Sequence, residues 1–246
     1  MAAERSDEIA ALIVEPLVQG AAGMIVHPQG FLKELEKICR DHDILLICDE
    51  VATGFGRTGA MFASQKEDVR PDIMCVAKGL TGGYLPLAAT LFTENIFEAF
   101  LGAHTDYKTF FHGHSYTGNA LACAAAIACI EIFEQDHVIE KLQPKIMLLS
   151  DLLETKILPL THVGEIRQCG FMVGIELVED IAGREPYAPA LQIGAQVARN
   201  IRKHGVILRP LGNVVVIMPP LCMSESEMDF LVTKAALSIS EICGAN

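Results

Sequence analysis

The sequence predicts an α/β fold followed by a smaller α+β domain. Up to about residue 135, short apolar runs of strand length alternate with helical patterns, the mark of a sheet with much parallel pairing. Two of those runs, Ile44-Leu45-Leu46-Ile47-Cys48 and Ile73-Met74-Cys75-Val76, have the length and β-branched content of fully buried strands, and charge follows each almost at once: Asp49-Glu50 and then Lys78. Beyond about residue 136 the alternation gives way to helices separated by closely spaced strand-like runs.

In order, the first strand is expected at Ala11–Val14. Its continuation, Glu15-Pro16-Leu17-Val18-Gln19-Gly20, reads as the middle of a sheet rather than the opening of a domain, so the chain is expected to be part of something longer. A helix over Gly30–His42 shows an apolar face of Phe31, Leu32, Leu35 and Ile38, with Lys33, Glu34, Glu36 and Lys37 left for solvent. Strands follow at Ile44–Cys48, Ile73–Val76 and Leu85–Leu91, and a long helix begins near Thr117. Next come a helix containing Leu142, Ile146, Leu149 and Leu153, strands at 163–168 and 171–178, a helix at 189–204, and short strands at 206–209 and 214–218. A last helix starts at Ser224, where Ser-Glu-Ser-Glu supplies a capping hydroxyl and acids suited to the helix dipole. The expected division is residues 1–135 for the α/β part and residues 136–246 for the small domain.

With 246 residues, 51% of them hydrophobic, the chain can bury a sizeable core. Its formal net charge of -12 would repel nucleic acid and anionic membrane surfaces, which leaves small molecules and proteins as partners. Eight cysteines occur without any CxxC spacing, and Cys48, Cys75, Cys123 and Cys129 lie in apolar runs. They read as buried, reduced residues, which favours a cytoplasmic location. No basic segment followed by an apolar one marks a secretory signal at the amino terminus, and Leu121–Ile130 is too short to span a bilayer.

Two motifs lose to plainer readings. Gly54-Phe55-Gly56-Arg57-Thr58-Gly59 satisfies GxGxxG after a strand, with Asp72 at a suitable distance. A dinucleotide fingerprint should open directly into a helix, however, and carboxylates such as Asp49 and Glu50 at that spot would repel a pyrophosphate. A glycine-rich surface loop is expected instead. His112-Gly113-His114 could present two imidazoles along an extended segment, but no third ligand has convincing spacing, so no metal site is expected.

Asp49 and Lys78 carry more. A buried ion pair is seldom more stabilising than an apolar pair of similar volume, so stability alone gives little reason to bury one. Pyridoxal phosphate offers a reason. It needs a lysine for a Schiff base with its aldehyde and an acid to keep its ring nitrogen protonated, so that the ring can act as an electron sink.

The residues around both groups resemble the class III (omega) aminotransferases of fold type I. Asp49-Glu50-Val51-Ala52-Thr53-Gly54-Phe55-Gly56-Arg57-Thr58-Gly59 is similar to that family's aspartate loop, and Pro71-Asp72-Ile73 through Ala77-Lys78-Gly79-Leu80 to its lysine segment. The resemblance runs from Val14-Glu15-Pro16 to the final helix. It implies a pyridoxal-5'-phosphate enzyme made of part of a large α/β domain and a small C-terminal α+β domain. Lys78 would be the Schiff-base lysine and proton carrier. Asp49 would pair with the ring nitrogen, and Val51 would pack on the ring face. Ser115, with the backbone of His114, would bind the cofactor phosphate of a neighbouring subunit, since family members share active sites across a homodimer. Gly113 would lie where backbone meets substrate, Arg209 would receive a substrate carboxylate, and Arg57 would tune the pocket unless it is a solvated loop arginine.

His112 through Asn119 and Leu208 through Asn213, continuing to Met218-Pro219-Pro220, most resemble members that transfer an amino group from S-adenosylmethionine to 8-amino-7-oxononanoate in biotin synthesis. Members acting on ornithine, 4-aminobutyrate or similar amines are the rivals. Family members also carry an N-terminal portion with a phosphate-binding turn and an aromatic residue stacked on the cofactor, and nothing before Val14 matches either. Part of a longer protein, a split enzyme completed by another chain and an inactive remnant all remain open.

Overall fold

The structure, a computed structural model, describes residues 5–244. It falls into two compact units. The first comprises residues up to Leu17, Pro28–Phe55 and Ala60–Val138; the second comprises Val18–His27, Gly56–Gly59 and Ile139 onward. Two short segments expected in the first domain therefore group with the second unit.

The first unit begins with β1 (Ala11–Val14); the chain then contributes the small antiparallel pair β2 (Val18–Gln19) and β3 (Ile25–Val26) to the second unit. It returns for helix α1 (Phe31–Asp41), β4 (Leu45–Asp49), β5 (Ile73–Val76), β6 (Ala89–Phe92), the short α2 (Glu94–Ala99) and α3 (Ala120–Gln135). The four-stranded sheet runs β1-β4-β5-β6. β4 is parallel to both neighbours, with Val14 beside Cys48 and Asp49 beside Cys75. Parallel pairing needs a long crossover, and residues 50–72 supply it with a loop and a short 3-10 helix, Ala63–Glu67. β6 departs from the parallel expectation: it is antiparallel to β5, with Val76 beside Ala89. Gly82 and Gly83, both at positive φ, help the chain reverse in that short connection.

Leu46 and Cys48 are fully buried, but the strands are not enclosed on both faces as the sequence implies, since Leu45 is exposed and Ile73, Met74 and Cys75 are half-buried. Helix α1 buries Leu32 and Cys39, while Phe31 and Ile38, expected on its inner face, are exposed. Leu32 and Cys39 lie two turns apart, so the covered stripe is narrower than the apolar one. Helix α3 is capped by Asn119, whose side-chain oxygen accepts the Leu121 and Ala122 N–H groups at 3.0 and 3.2 Å.

The second unit continues with α4 (Val138–Lys156), β7 (Val163–Cys169), β8 (Met172–Asp180), β9 (Glu185–Pro186), α5 (Ile193–Asn200), β10 (Arg209–Leu211), β11 (Val214–Ile217) and α6 (Glu225–Cys243). Its sheet is antiparallel in the order β10-β11-β8-β7, with β9 against β8. The helix expected at 189–204 is shorter, with 3-10 turns at Pro189–Leu191 and Ile201–His204 flanking α5, and the strand expected at 206–209 begins only at Arg209. Phe171, Val173, Ile175 and Leu177 join one core with Leu149 and Leu153 of α4 and Val232 and Ile239 of α6. Gly174 sits on the other face of β8, where a Cβ would come within 2.8 Å of Met24 Cβ. Arg167 ties the same segment down, donating to the Gly23 and Met24 carbonyls at 2.8 and 3.2 Å. Ser224 caps α6 as expected, with reciprocal bonds to Glu227 at 3.3 and 2.8 Å.

None of the eight cysteines, all among the described residues, forms a disulfide. Cys48 is fully enclosed, and burial, with Glu50 nearby as a lesser cause, pushes its thiol up to about 12. Cys75, Cys123 and Cys129 are only partly buried, because neither α3 nor β5 is covered on every side. Among the described residues no helix is long and apolar enough to cross a membrane.

Candidate active site

Asp49 is the last residue of β4, and Lys78 lies two residues beyond the end of β5, the next strand in the same direction. Parallel pairing thus brings both groups to the same carboxyl edge of the sheet, where open α/β sheets hold ligands. The expected burial is met only in part. Asp49 is half-buried and Lys78 is exposed.

Asp49 Oδ1 accepts the Val51 N–H at 3.0 Å, a local turn that orients the carboxylate. Its Oδ2 has no hydrogen-bond partner among the described residues. Lys78 opens a 3-10 turn, Lys78–Thr81, with φ of 46°. A non-glycine residue in that left-handed region is strained, and such strain persists only where neighbours hold it. The neighbours are close: a Cβ on Gly79 would stand 2.7 Å from Phe55 Cβ, so the lysine turn and the aspartate loop are in direct contact. From α3, the Cys129 thiol donates to the Gly79 carbonyl at 3.3 Å. Phe55, Val76, Leu80 and Ala126 form the apolar cluster beneath, with Phe62 and Phe133 at its edge.

Glu50, quoted in the aspartate motif but given no role by the sequence reading, is fully buried. Its carboxylate accepts from Thr53 Oγ1, Ala63 N–H and Ser64 N–H at 2.7, 3.0 and 2.8 Å. The glycine-rich stretch of the GxGxxG pattern is a run of turns that leads into a 3-10 helix and not into an α-helix. That agrees with a loop but corrects its expected place at the surface, since Phe55 and Thr58 are buried.

Gly113, His114 and Ser115 belong to the same unit as Asp49 and Lys78 and lie in an exposed, irregular segment. The Thr117 hydroxyl accepts the His114 N–H at 3.1 Å, and His114 Nδ1 accepts the Tyr116 N–H at 3.1 Å. No group of three metal-binding side chains occurs among the described residues. Arg57 and Arg209 belong to the second unit. Arg57 is half-buried and donates to the Pro219 carbonyl at 2.5 Å, while its own carbonyl accepts the Phe171 N–H at 2.8 Å. Burial lowers its pKa from the usual arginine value. Arg209 is exposed at the start of β10 and has no side-chain partner among the described residues.

The aminotransferase class-III family matches residues 1–238. The chain belongs to that family. Among curated relatives, adenosylmethionine-8-amino-7-oxononanoate aminotransferase of Geobacter sulfurreducens is 53% identical over 237 residues, covering 96% of this chain and 52% of the relative. The enzyme of that name from Nitratidesulfovibrio vulgaris is 55% identical, covering 92% of this chain and 41% of the relative. The solved structure of the Methanocaldococcus jannaschii enzyme of that name matches with a TM-score of 0.95 at 46% identity, covering 98% of this chain and 56% of that one. An omega transaminase from Pseudomonas jessenii, solved in complex with PMP, matches with a TM-score of 0.92 at 36% identity, covering 99% of this chain and 53% of that one. This class-III chain thus has the mixed α/β architecture of the fold type I pyridoxal-phosphate transferases, and it spans about half the length of the curated relatives it matches.

The class-III residues present fit pyridoxal phosphate. A carboxylate with one oxygen oriented by the backbone and the other without a partner suits a protonated ring nitrogen, and an exposed amine held on a strained turn suits the aldehyde.

Proposed function

We propose that this class-III chain is part of a pyridoxal-phosphate aminotransferase that moves an amino group from S-adenosylmethionine to 8-amino-7-oxononanoate, giving 7,8-diaminononanoate in biotin synthesis. The observation that carries the chemistry is the placement of Asp49 and Lys78 on neighbouring parallel strand ends. The substrate assignment rests on identities of 51–55% to four relatives named for that reaction, against 36% for the Pseudomonas jessenii omega transaminase.

When bound, pyridoxal phosphate supplies an aldehyde for amino-group transfer and a ring that absorbs the electron pair left on the substrate carbon. Lys78 Nζ anchors it and carries the proton at the substrate α-carbon. Asp49 holds the proton on the ring nitrogen, because an anion beside that nitrogen favours the charged form. Val51 would help to hold the ring. Ser115 and the backbone of His114 take the phosphate of a neighbouring subunit in a cytoplasmic homodimer, and Gly113 lines the substrate path. Arg209, with its guanidinium uncommitted among the described residues, receives a substrate carboxylate. Arg57 has a weaker place there, since one donor is committed to Pro219. Residues 1–135 would form the remaining part of the large domain and 136–246 the small domain.

The test joins spectroscopy to turnover. In the intact enzyme, pyridoxal phosphate is expected to give a protein-bound visible absorbance that Lys78→Ala abolishes, and Asp49→Asn is expected to keep the fold while losing most turnover. Amino transfer to 8-amino-7-oxononanoate should proceed from S-adenosylmethionine and not from ornithine or 4-aminobutyrate. A Lys78→Ala spectrum equal to wild type removes the lysine assignment, and a preference for either amine removes the substrate assignment.

A further inference from the structure

A carboxylate out of water is costly unless hydrogen bonds satisfy it, so the full burial of Glu50 beside Asp49 needs a cause. Its partners show one. Ala63 and Ser64 open the 3-10 helix Ala63–Glu67, where N–H groups lack helical acceptors, and Glu50 accepts both at 3.0 and 2.8 Å. The Thr53 hydroxyl adds a third bond at 2.7 Å. On the main chain, Glu50 N–H donates to the Cys75 carbonyl of β5 at 2.9 Å, and the Glu50 carbonyl accepts the Gly54 N–H at 3.0 Å. One residue therefore ties β5 to both ends of the loop that follows Asp49. The Asp49 carboxylate depends on that loop, because the Val51 N–H is its hydrogen-bond partner, at 3.0 Å.

We propose that Glu50 is a positioning residue for Asp49: by clamping the 51–64 segment from inside, its buried carboxylate holds Val51 where its N–H orients the Asp49 carboxylate. This rests on the reading of Asp49 as the partner of the cofactor ring nitrogen. A carboxamide cannot replace Glu50, because its NH2 would face a donor on at least one side.

The Val51 amide reports the link directly. Amide hydrogen exchange, followed by NMR on the full chain without added cofactor, compares wild type with Glu50→Gln. Exchange is expected to quicken about tenfold at Ala63, Ser64 and also Val51, roughly the loss of one hydrogen bond, with β8 amides such as Val173 unchanged. A purely structural Glu50 would release Ala63 and Ser64 alone, and an unmoved Val51 overturns the proposal. So does an equal rise at Val51 and Val173, which reports general destabilisation. Should Glu50→Gln fail to fold, Thr53→Val removes one donor to the same carboxylate; a smaller rise at Val51 supports the link, and none overturns it. Failure of the cofactor reading shows separately, in an Asp49→Asn protein whose cofactor absorbance and turnover match wild type.

Discussion

The two units differ in how they use their apolar residues. In the second, helices α4 and α6 and strand β8 meet in one continuous core, and Leu149, Phe171, Val173 and Val232 have no exposed surface. In the first, burial is divided between a cluster around Leu46 and another around Phe55, while Tyr84, Phe111 and Leu121 are 88%, 82% and 74% exposed. Asp49 and Lys78 lie in the unit with the sparser packing. What fixes them is local: a buried carboxylate, a glycine pressed on a phenylalanine and a left-handed lysine. Their order comes from a few specific contacts.

The largest expected effect tests the contrast itself. Phe171→Ala should cost about 3–5 kcal/mol by urea denaturation, and Phe111→Ala should stay within about 0.5 kcal/mol. Equal costs would mean that the exposed segment is packed in solution, and the comparison would break. Gly79→Ala comes next, at about 1–3 kcal/mol, since its methyl would stand 2.7 Å from Phe55 Cβ. Its damage should be confined to the first unit, with amide protection in β8 kept. Phe55→Gly in the same molecule should recover part of the loss, because it removes the Cβ that the methyl would meet; simple additivity of the two costs would show that the close approach is relieved some other way.

Much of this was legible in the chain because it is written locally. The apolar runs before Asp49 and Lys78 define β4 and β5, and Ser224 with Glu227 marks the start of α6. The direction of β6 was not legible, since a run of strand length carries no sign for its pairing. Nor was the exposure of Lys78, which depends on what else covers the sheet edge. Glu50 escaped a role because Ala63 and Ser64 are reached across an irregular loop, and Arg57 meets a carbonyl 162 residues away. Neither separation leaves a periodic signal in sequence.

The smallest effect sharpens the local side of the contrast. At Lys78, φ is 46°, where any side chain with a Cβ is penalised and glycine is not. Lys78→Ala keeps that penalty, so Lys78→Gly should be more stable than Lys78→Ala by about 1 kcal/mol. The sign is the reverse of that at an exposed helical position: at Lys141 in α4, glycine should be less stable than alanine by about 1 kcal/mol. Thermal or urea unfolding of the four variants reads both differences on one scale. If glycine is the less stable choice at both sites, the lysine turn relaxes in solution, and the contacts through Phe55 and Cys129 do not hold it. If the sign inverts at Lys78 alone, those contacts keep the backbone strained with the amine removed, so the turn is set by its surroundings before any ligand arrives.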